Sequence, residues 1–421
     1  PQPRTTANTA VTGKSRTPPG ESHPLTTRAS AATVTALPNT YTSLADLAQA
    51  LTNQAGCFGA LARLDEALAA IDESLNIHRD LASRNPDKYL PDLAASLTGK
   101  SSRLASLDRY EEAAVAAQEA VSTYQRLIQT HREAYLPDLA ISMANQAGCL
   151  CRLERFGEAI AIIDQVIAIL QQLAQAQPGA HLSDLANAMN IRAACLSGMG
   201  RHQEALDETV NALDTFRHLA QSQPSVFRPD VAATIHNQAI NLSEIGLPSD
   251  ALAVIEEAIT IKRHLVEIRR DAFLPGLASS LYTKAHCLQK VRRVAEALIV
   301  SREVEVIYRQ LAEDRPEIYL ADLASSLNRQ GEWLADLGYY EISITLYYEA
   351  VATYTQLAYE WADPFVERLA NSLEGLAAVL ATINREPEAS AARHGLSLVK
   401  RGLIPKPKSS PFHTTTSPSE V

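Results

Sequence analysis

A Leu-Ala dipeptide recurs at Leu47-Ala48, Leu93-Ala94, Leu139-Ala140, Leu185-Ala186, Leu277-Ala278, Leu323-Ala324 and Leu369-Ala370, with Val231-Ala232 in the remaining place, at a constant interval of 46 residues. Eight copies without an insertion or deletion mean a tandem array, and arrays of this period bury apolar faces between neighbouring units instead of building one central core. The length of 421 residues therefore does not imply two or three globular domains. The array occupies 41–403. Residues 1–40 are Thr-, Pro- and Ser-rich with no helical or strand period and read as a disordered linker; 404–421 read as a disordered tail in which Ser410-Pro411 and Ser417-Pro418 are ordinary linker dipeptides. The chain opens on Pro1, which suggests a fragment or a processed product with more sequence upstream.

Each unit reads as two helices. The first is expected to begin at Pro91, Pro137, Pro229 and Pro275, where a missing N–H is harmless. The following acid (Asp92, Asp138, Asp230) then meets the positive end of the helix dipole. Leu139, Met143, Ala147, Leu150 and Leu153 fall at spacings of four, four, three and three, one apolar helical stripe. A turn follows, with glycine at Gly200, Gly246 and Gly338. The second helix starts near Glu-Ala (Glu112-Ala113, Glu158-Ala159, Glu204-Ala205) and is expected to be the longer, ending at Pro86, Pro178, Pro224 and Pro316. An aromatic at one fixed position (Tyr89, Tyr135, Phe227, Phe273, Tyr319, Phe365) is expected to plug the joint between units.

These features resemble the tetratricopeptide repeat (TPR) family over roughly 41–403. The small residue followed by a large one (Ala147, Leu150) and the alanine opening the second helix (Ala67, Ala113, Ala159, Ala205, Ala251, Ala297, Ala389, with Ser343 the exception) carry the resemblance. Small side chains there let two helices approach closely. The 46-residue unit exceeds the family's usual length of about 34. It is similar to the long-unit arrays of kinesin light chains and of arms attached to signalling ATPases or caspase-like proteases. The resemblance implies an all-α fold, a right-handed α-solenoid of about eight helix-turn-helix repeats. The polar last helix, from Glu388 to Gly395, suits a terminal cap.

Function classes narrow by composition. The net charge is -10, and removing the tails (+3 and +1) leaves -14 on the repeats, which opposes nonspecific nucleic-acid binding. No uninterrupted apolar run reaches membrane-spanning length, and Asp164 and Gln165 break the most apolar stretch, Ala159 to Leu170. Cys57, Cys149, Cys195 and Cys287 share one repeat position, too far apart to be bridged; they read as buried thiols in a reducing, cytoplasmic compartment, with Cys151 on another face. Gly99-Lys100-Ser101 and Gly13-Lys14-Ser15 lack the first glycine of a phosphate loop, and no metal or nucleophile motif appears, so neither an enzyme nor a cofactor is expected.

In the TPR family the first helix lines a concave groove that takes peptides. The resemblance places there Thr52, Asn53 and Gly56; Ala144, Asn145 and Gly148; Asn187, Asn190 and Ala194; His236, Asn237 and Ile240; Tyr282, Thr283 and His286; and Asn328, Arg329 and Glu332. Asparagine both donates and accepts, as an extended peptide backbone requires. The expected role is a protein-interaction scaffold for a peptide or helical segment; the alternative is a regulatory arm of a larger signalling protein. Charge reverses to +6 between Lys262 and Arg302, so Arg269, Arg270, Lys290, Arg292 and Arg293 form a candidate patch for an acidic partner. Finally, Gln54, Gln146, Gln238 and Gln330 alternate with Lys100, Arg192 and Lys284 at a position where the family favours leucine, which predicts looser packing at that helix edge.

Overall fold

The computed structural model describes residues 40–61, 63–177, 179–361 and 363–404. The readings of the linker, the tail, Pro178 and Gly13-Lys14-Ser15 lie outside these residues. The described chain is an array of helical pairs: α1 (Thr40–Ala60) with α2 (Leu64–Arg84), α3 (Pro86–Ser106) with α4 (Tyr110–Leu127), α5 (Arg132–Arg152) with α6 (Phe156–Ala176), α7 (Leu182–Gly198) with α8 (His202–Ser222), α9 (Pro224–Glu244) with α10 (Pro248–Ile268), α11 (Arg270–Lys290) with α12 (Val294–Asp314), α13 (Pro316–Asp336) with α14 (Tyr340–Trp361), and α15 (Asp363–Thr382) with α16 (Glu386–Lys400). Each helix packs on the next in sequence, and most odd helices also touch the next odd one, from α1 through α11 and between α13 and α15. The even helices spread apart, so the odd helices form the concave side of a right-handed superhelix.

The helix boundaries correct the sequence reading. Pro86, Pro224 and Pro316 do not merely end the even helices; each is the first residue of the following odd helix, separated from its predecessor by one residue (Asn85, Gln223, Arg315) near φ -140°. The odd helices thus start five residues before the expected prolines. Pro91, Pro137, Pro229 and Pro275 lie inside their helices, one turn and a half in. Odd and even helices are mostly equal at 21 residues, so the second helix is not the longer one. The cause is local ambiguity: a proline at a helix end and a proline at the next helix start look alike when the linker is one residue.

The seven turns from α3–α4 to α15–α16 share one construction. A residue in the left-handed region closes the odd helix: Gly200, Gly246 and Gly338, but also Asp108, Glu154, Arg292 and Asn384 with φ between 57° and 64°. The next residue donates its N–H back to the carbonyl five positions earlier, as in Arg109 to Leu104 and Arg155 to Leu150. Where that residue is arginine, its guanidinium grips the glutamate three residues on: Arg63–Glu66, Arg109–Glu112, Arg155–Glu158, Arg201–Glu204, Arg293–Glu296 and Arg385–Glu388. These exposed pairs set the geometry of the turn more than they stabilise it.

The core is the stacked interior. Leu139, Met143, Ala147 and Leu150 are buried, and so are the opening alanines Ala67, Ala113, Ala159, Ala205, Ala251, Ala297 and Ala389. One cluster runs continuously from Ala186 to Val399, taking in the partly buried Phe227, Tyr319 and Phe365 of the joint position. α6 is long and apolar enough by composition to cross a membrane, the one such helix among the described residues. Its Ala159, Ile163, Val166 and Leu170 are buried within the array. In α16 only Ala389, Ala392 and Val399 are buried, as a terminal helix with a wet outer face requires.

Candidate functional site: the concave groove

The odd helices present one stripe to the concave side. It starts at the residue after the internal proline position and continues three, seven, ten and fourteen residues on. In α5, α7 and α9 this stripe lines a pocket of about 770 Å³ through Ile141, Asn145, Gly148 and Arg152; Asp184, Asn187, Ile191 and Ala194; and Asp230, Ala233 and Asn237. Tyr110 adds an aromatic wall, with Arg152 5.1 Å over its ring. Burial, helped by the hydrogen bond from its hydroxyl to Asp108, pushes the Tyr110 phenol up to about 12. Burial raises the carboxyl pKa of Asp322 on α13.

The structure sorts the sequence-derived groove residues into two sets. Asn53, Asn145, Asn237, His286 and Arg329 stand on the concave stripe. Asn190, His236, Tyr282 and Asn328 stand one position earlier, at the seam between successive odd helices. There Asn190 donates to Thr234 Oγ1 at 2.7 Å, and the His236 ring and Ser280 Oγ are 3.2 Å apart. Thr98 and Ser142 make the same contact at 2.8 Å. Where the first partner is Ala144, the second is Ala188, so in the early units the seam is polar or apolar by pairs; later, Ser326 Oγ opposite Tyr282 and Asn328 Oδ1 are buried there without a hydrogen-bond partner. The seam is structural first; Asn190 also reaches the pocket wall.

The stripe residues behave differently. Asn145 makes one long bond to Ser102, 3.3 Å, whereas Asn187 and Asn237 make no side-chain hydrogen bond within the described protein. Arg329 pairs with Glu332 at 2.8 Å. His286 is held below its ordinary pKa by burial, reinforced by Lys290 and Arg329.

Sequence reasoning missed the first stripe position. Asp46, Asp92, Asp138, Asp184, Asp230 and Asp322 repeat at the 46-residue period, with Gly276 and Arg368 completing it. Because most odd helices start earlier than expected, these acids sit in the second turn, away from the dipole end, except Asp184, which lies in the first turn of the shorter α7. Burial in the concave wall raises the carboxyl pKa of Asp138 and of Asp230. The periodicity itself was the available signal.

In α11 the missing aspartate is matched by a buried cation. Lys262, 8 % exposed, projects from α10 and donates to the Gly276 carbonyl at 3.0 Å and to Ser280 Oγ at 2.7 Å. Burial pulls its pKa down to about 8. Burial and the Lys262 charge together push His236 down to about 3.

The proposed basic patch is divided by the fold. Arg269 and Arg270 lie at the start of α11, while Lys290, Arg292 and Arg293 lie at its far end, about 30 Å away for a 21-residue helix. Arg270 donates to Gln310 at 2.6 Å, Lys290 pairs with Glu244 at 3.0 Å, Arg293 with Glu296 at 2.7 Å, and Arg269 lies 5.5 Å over the Phe273 ring. Arg292 is exposed at a turn. A sequence window cannot see that one helix length separates its ends.

Two further readings change. Cys149, Cys195 and Cys287 are buried, but Cys57 is exposed, because this position packs against the preceding unit and α1 has no preceding described unit. Cys151 is partly buried against the cluster that holds Cys195, and their proximity lowers the Cys151 pKa and raises that of Cys195. The alternating Gln and basic position is not loosely packed. Lys100 pairs with Asp72 at 2.7 Å, Arg192 with Asp164 at 2.9 Å and Lys284 with Glu256 at 2.6 Å, each tying an odd helix to the preceding even one, and Arg192 also reaches Glu208 on the following α8 at 2.5 Å. In an intervening unit Gln146 donates to Gln118.

No protein-family model matches the chain, and no curated protein matches it. Solved structures are similar in fold. BtubC (BKLC) from P. vanneervenii is 17% identical over 61% of this chain and 96% of its own, with a TM-score of 0.48. A Podosopora anserina putative kinesin light chain with nearly identical TPR-like repeats is 18% identical over 52% of this chain and 96% of its own, with a TM-score of 0.38. A Rap protein complexed with Competence and Sporulation Factor is 13% identical over 87% and 96%, with a TM-score of 0.47. By its own stacked helical pairs, small-residue contacts and glycine-type turns, the chain is a TPR-like repeat array.

Proposed function

We propose that the chain is a protein-interaction scaffold whose concave groove holds an extended peptide segment of a partner. The observation that carries this reading is the set of amides on the stripe: Asn187 and Asn237 face the pocket with both donors and acceptors unused, and Asn145 uses one weakly. Amides spaced along successive helices match the alternating N–H and C=O groups of an extended backbone. The apolar wall of Ile141, Ile191 and Ala194 supplies the dry surface that such a segment buries.

The test is selection of linear peptides from a displayed random library against the whole chain, followed by fluorescence anisotropy. Asn145→Ala, Asn187→Ala and Asn237→Ala combined are expected to weaken selected peptides at least tenfold, from about 0.5–1.5 kcal/mol per lost hydrogen bond. The melting temperature stays within about 2 °C, because these amides are not seam residues. Unchanged binding by the triple variant overturns the groove reading. Asn190 is excluded from the set because it donates to Thr234 across the seam, so its replacement would disturb the stacking of α7 on α9 as well as the groove.

A further inference from the structure

The groove reading says where a segment docks, and the charge pattern says what kind. We infer that the occupant is a cationic extended peptide carrying Lys or Arg at about every third residue. This rests on the groove reading and deepens it. Along the stripe from α1 to α9 stand Asp46, Asp92, Asp138, Asp184 and Asp230, opposed by one base, Arg152, since Glu244 is neutralised by Lys290. Asp184 has a histidine neighbour, His181, at 3.5 Å; among the described residues no ion pair joins the other four to a cation. The remaining stripe positions nearby are amides and small or apolar side chains, so Arg152, over the Tyr110 ring, is the one group on the pocket wall that repels an ammonium or guanidinium.

The fold itself shows that this place accepts a cation. Lys262 occupies the repeat position of Leu170, which lines the pocket, and its ammonium reaches the one stripe position where aspartate is replaced by Gly276. A Cβ built on Gly276 would lie 3.8 Å from Lys262 Nζ. The internal ammonium and the aspartate exclude each other: where the chain brings its own lysine the acid is absent, and where the acid is present the same position holds Tyr124, Leu170, Phe216 or Tyr308, or, beside Asp92, His78, a base whose pKa burial lowers and whose ring nitrogen lies 2.9 Å from Ser96 Oγ. The raised carboxyl pKa values of Asp138 and Asp230 agree with acids partly stripped of water and left without a partner. The ladder spacing sets the ligand spacing. Packed helices lie about 8–10 Å apart, and an extended chain advances about 3.3 Å per residue, so one unit spans about three residues.

The experiment uses the full chain and three labelled peptides: five repeats of Lys-Ala-Ser, five repeats of Glu-Ala-Ser, and a composition-matched peptide with its lysines contiguous. Anisotropy at low salt, where screening is weak, is expected to show the spaced lysine peptide binding at least fivefold more tightly than the contiguous one, with no binding of the glutamate peptide. Asp138→Asn, Asp184→Asn and Asp230→Asn combined are expected to weaken it at least tenfold. The charge-matched control Asp65→Asn, Glu111→Gln and Asp214→Asn, placed on even helices, leaves it within twofold. Equal weakening by both triples means general attraction to an acidic protein and overturns the proposal, as does equal affinity for spaced and contiguous lysines. Selected library peptides that lack basic residues yet depend on Asn145, Asn187 and Asn237 overturn the cationic occupant while leaving the groove reading standing.

Discussion

The Lys262 ammonium donates to the carbonyl oxygen of Gly276 at 3.0 Å, in the one repeat where glycine stands in place of the stripe aspartate; the closing unit has Arg368 there. A buried ammonium held only by neutral acceptors pays for desolvation without a counter-charge. Gly276→Asp supplies one. The site has room, since the nearest atoms to a new Cβ are at 3.8–4.0 Å and belong to the flexible lysine end, and a helical glycine is itself unfavourable. Gly276→Asp is expected to raise the melting temperature by several degrees; a fall would show that the lysine is already optimally held.

The same lysine sets a pH dependence. Its folded pKa of about 8 lies below the ordinary 10.5, so between these values the unfolded chain binds more protons and stability rises with pH. Below about pH 8 the full penalty is present. Urea midpoints measured from pH 7 to 10 are expected to climb for the native chain relative to Lys262→Met, which lacks the titrating group. Parallel curves would mean that Lys262 does not titrate in this window.

Arg292 occupies the left-handed turn position with φ 64°, where three other units use glycine. A side chain there costs roughly 1 kcal/mol. Arg292→Gly is therefore expected to stabilise the chain by up to about 1 kcal/mol in chemical denaturation despite removing an exposed charge. Net destabilisation would reveal a contact of Arg292 that outweighs the backbone strain.

Lys284 pairs across units with Glu256 at 2.6 Å, with side chains 23% and 54% exposed. Partial exposure limits the pair to about 0.5–1 kcal/mol. Lys284→Glu is expected to lose about that much, and adding Glu256→Lys to recover it. A double-mutant cycle with no coupling would return the alternation to a trace of duplication without a structural role.

Leu277 is 5 % exposed in the continuous core, and Leu277→Ala is expected to cost about 2–5 kcal/mol by equilibrium unfolding. A loss under about 0.5 kcal/mol would remove it from the core.

The architecture was legible because it depends on spacing. The interval of 46 and the four-three apolar stripe fixed helical pairs and their buried alanines, since only small residues at those offsets let helices touch. The helix starts were not legible, because a one-residue linker makes the proline that ends one helix also begin the next. That error moved the aspartates from groove floor to helix end in the reading, and so hid the most regular feature of the site. The asparagines were found, but two adjacent helical positions were merged: Asn145 and Asn237 face the groove, whereas Asn190 and Asn328 stand at the seam, 100° around the helix.

What the sequence alone determined is the repeat, the class of fold and the residues of the core, all of which follow from periodicity along the chain. What only the tertiary structure decided is which polar side chains are already used. Lys100, Arg192 and Lys284 are tied to the preceding unit, the basic residues of α11 lie at opposite ends, and Asp138 and Asp230 remain without a counter-ion. The reason is physical: burial propagates through local period, but a charge is satisfied by whatever neighbour superhelical stacking brings within about 3 Å, and that neighbour is another unit away.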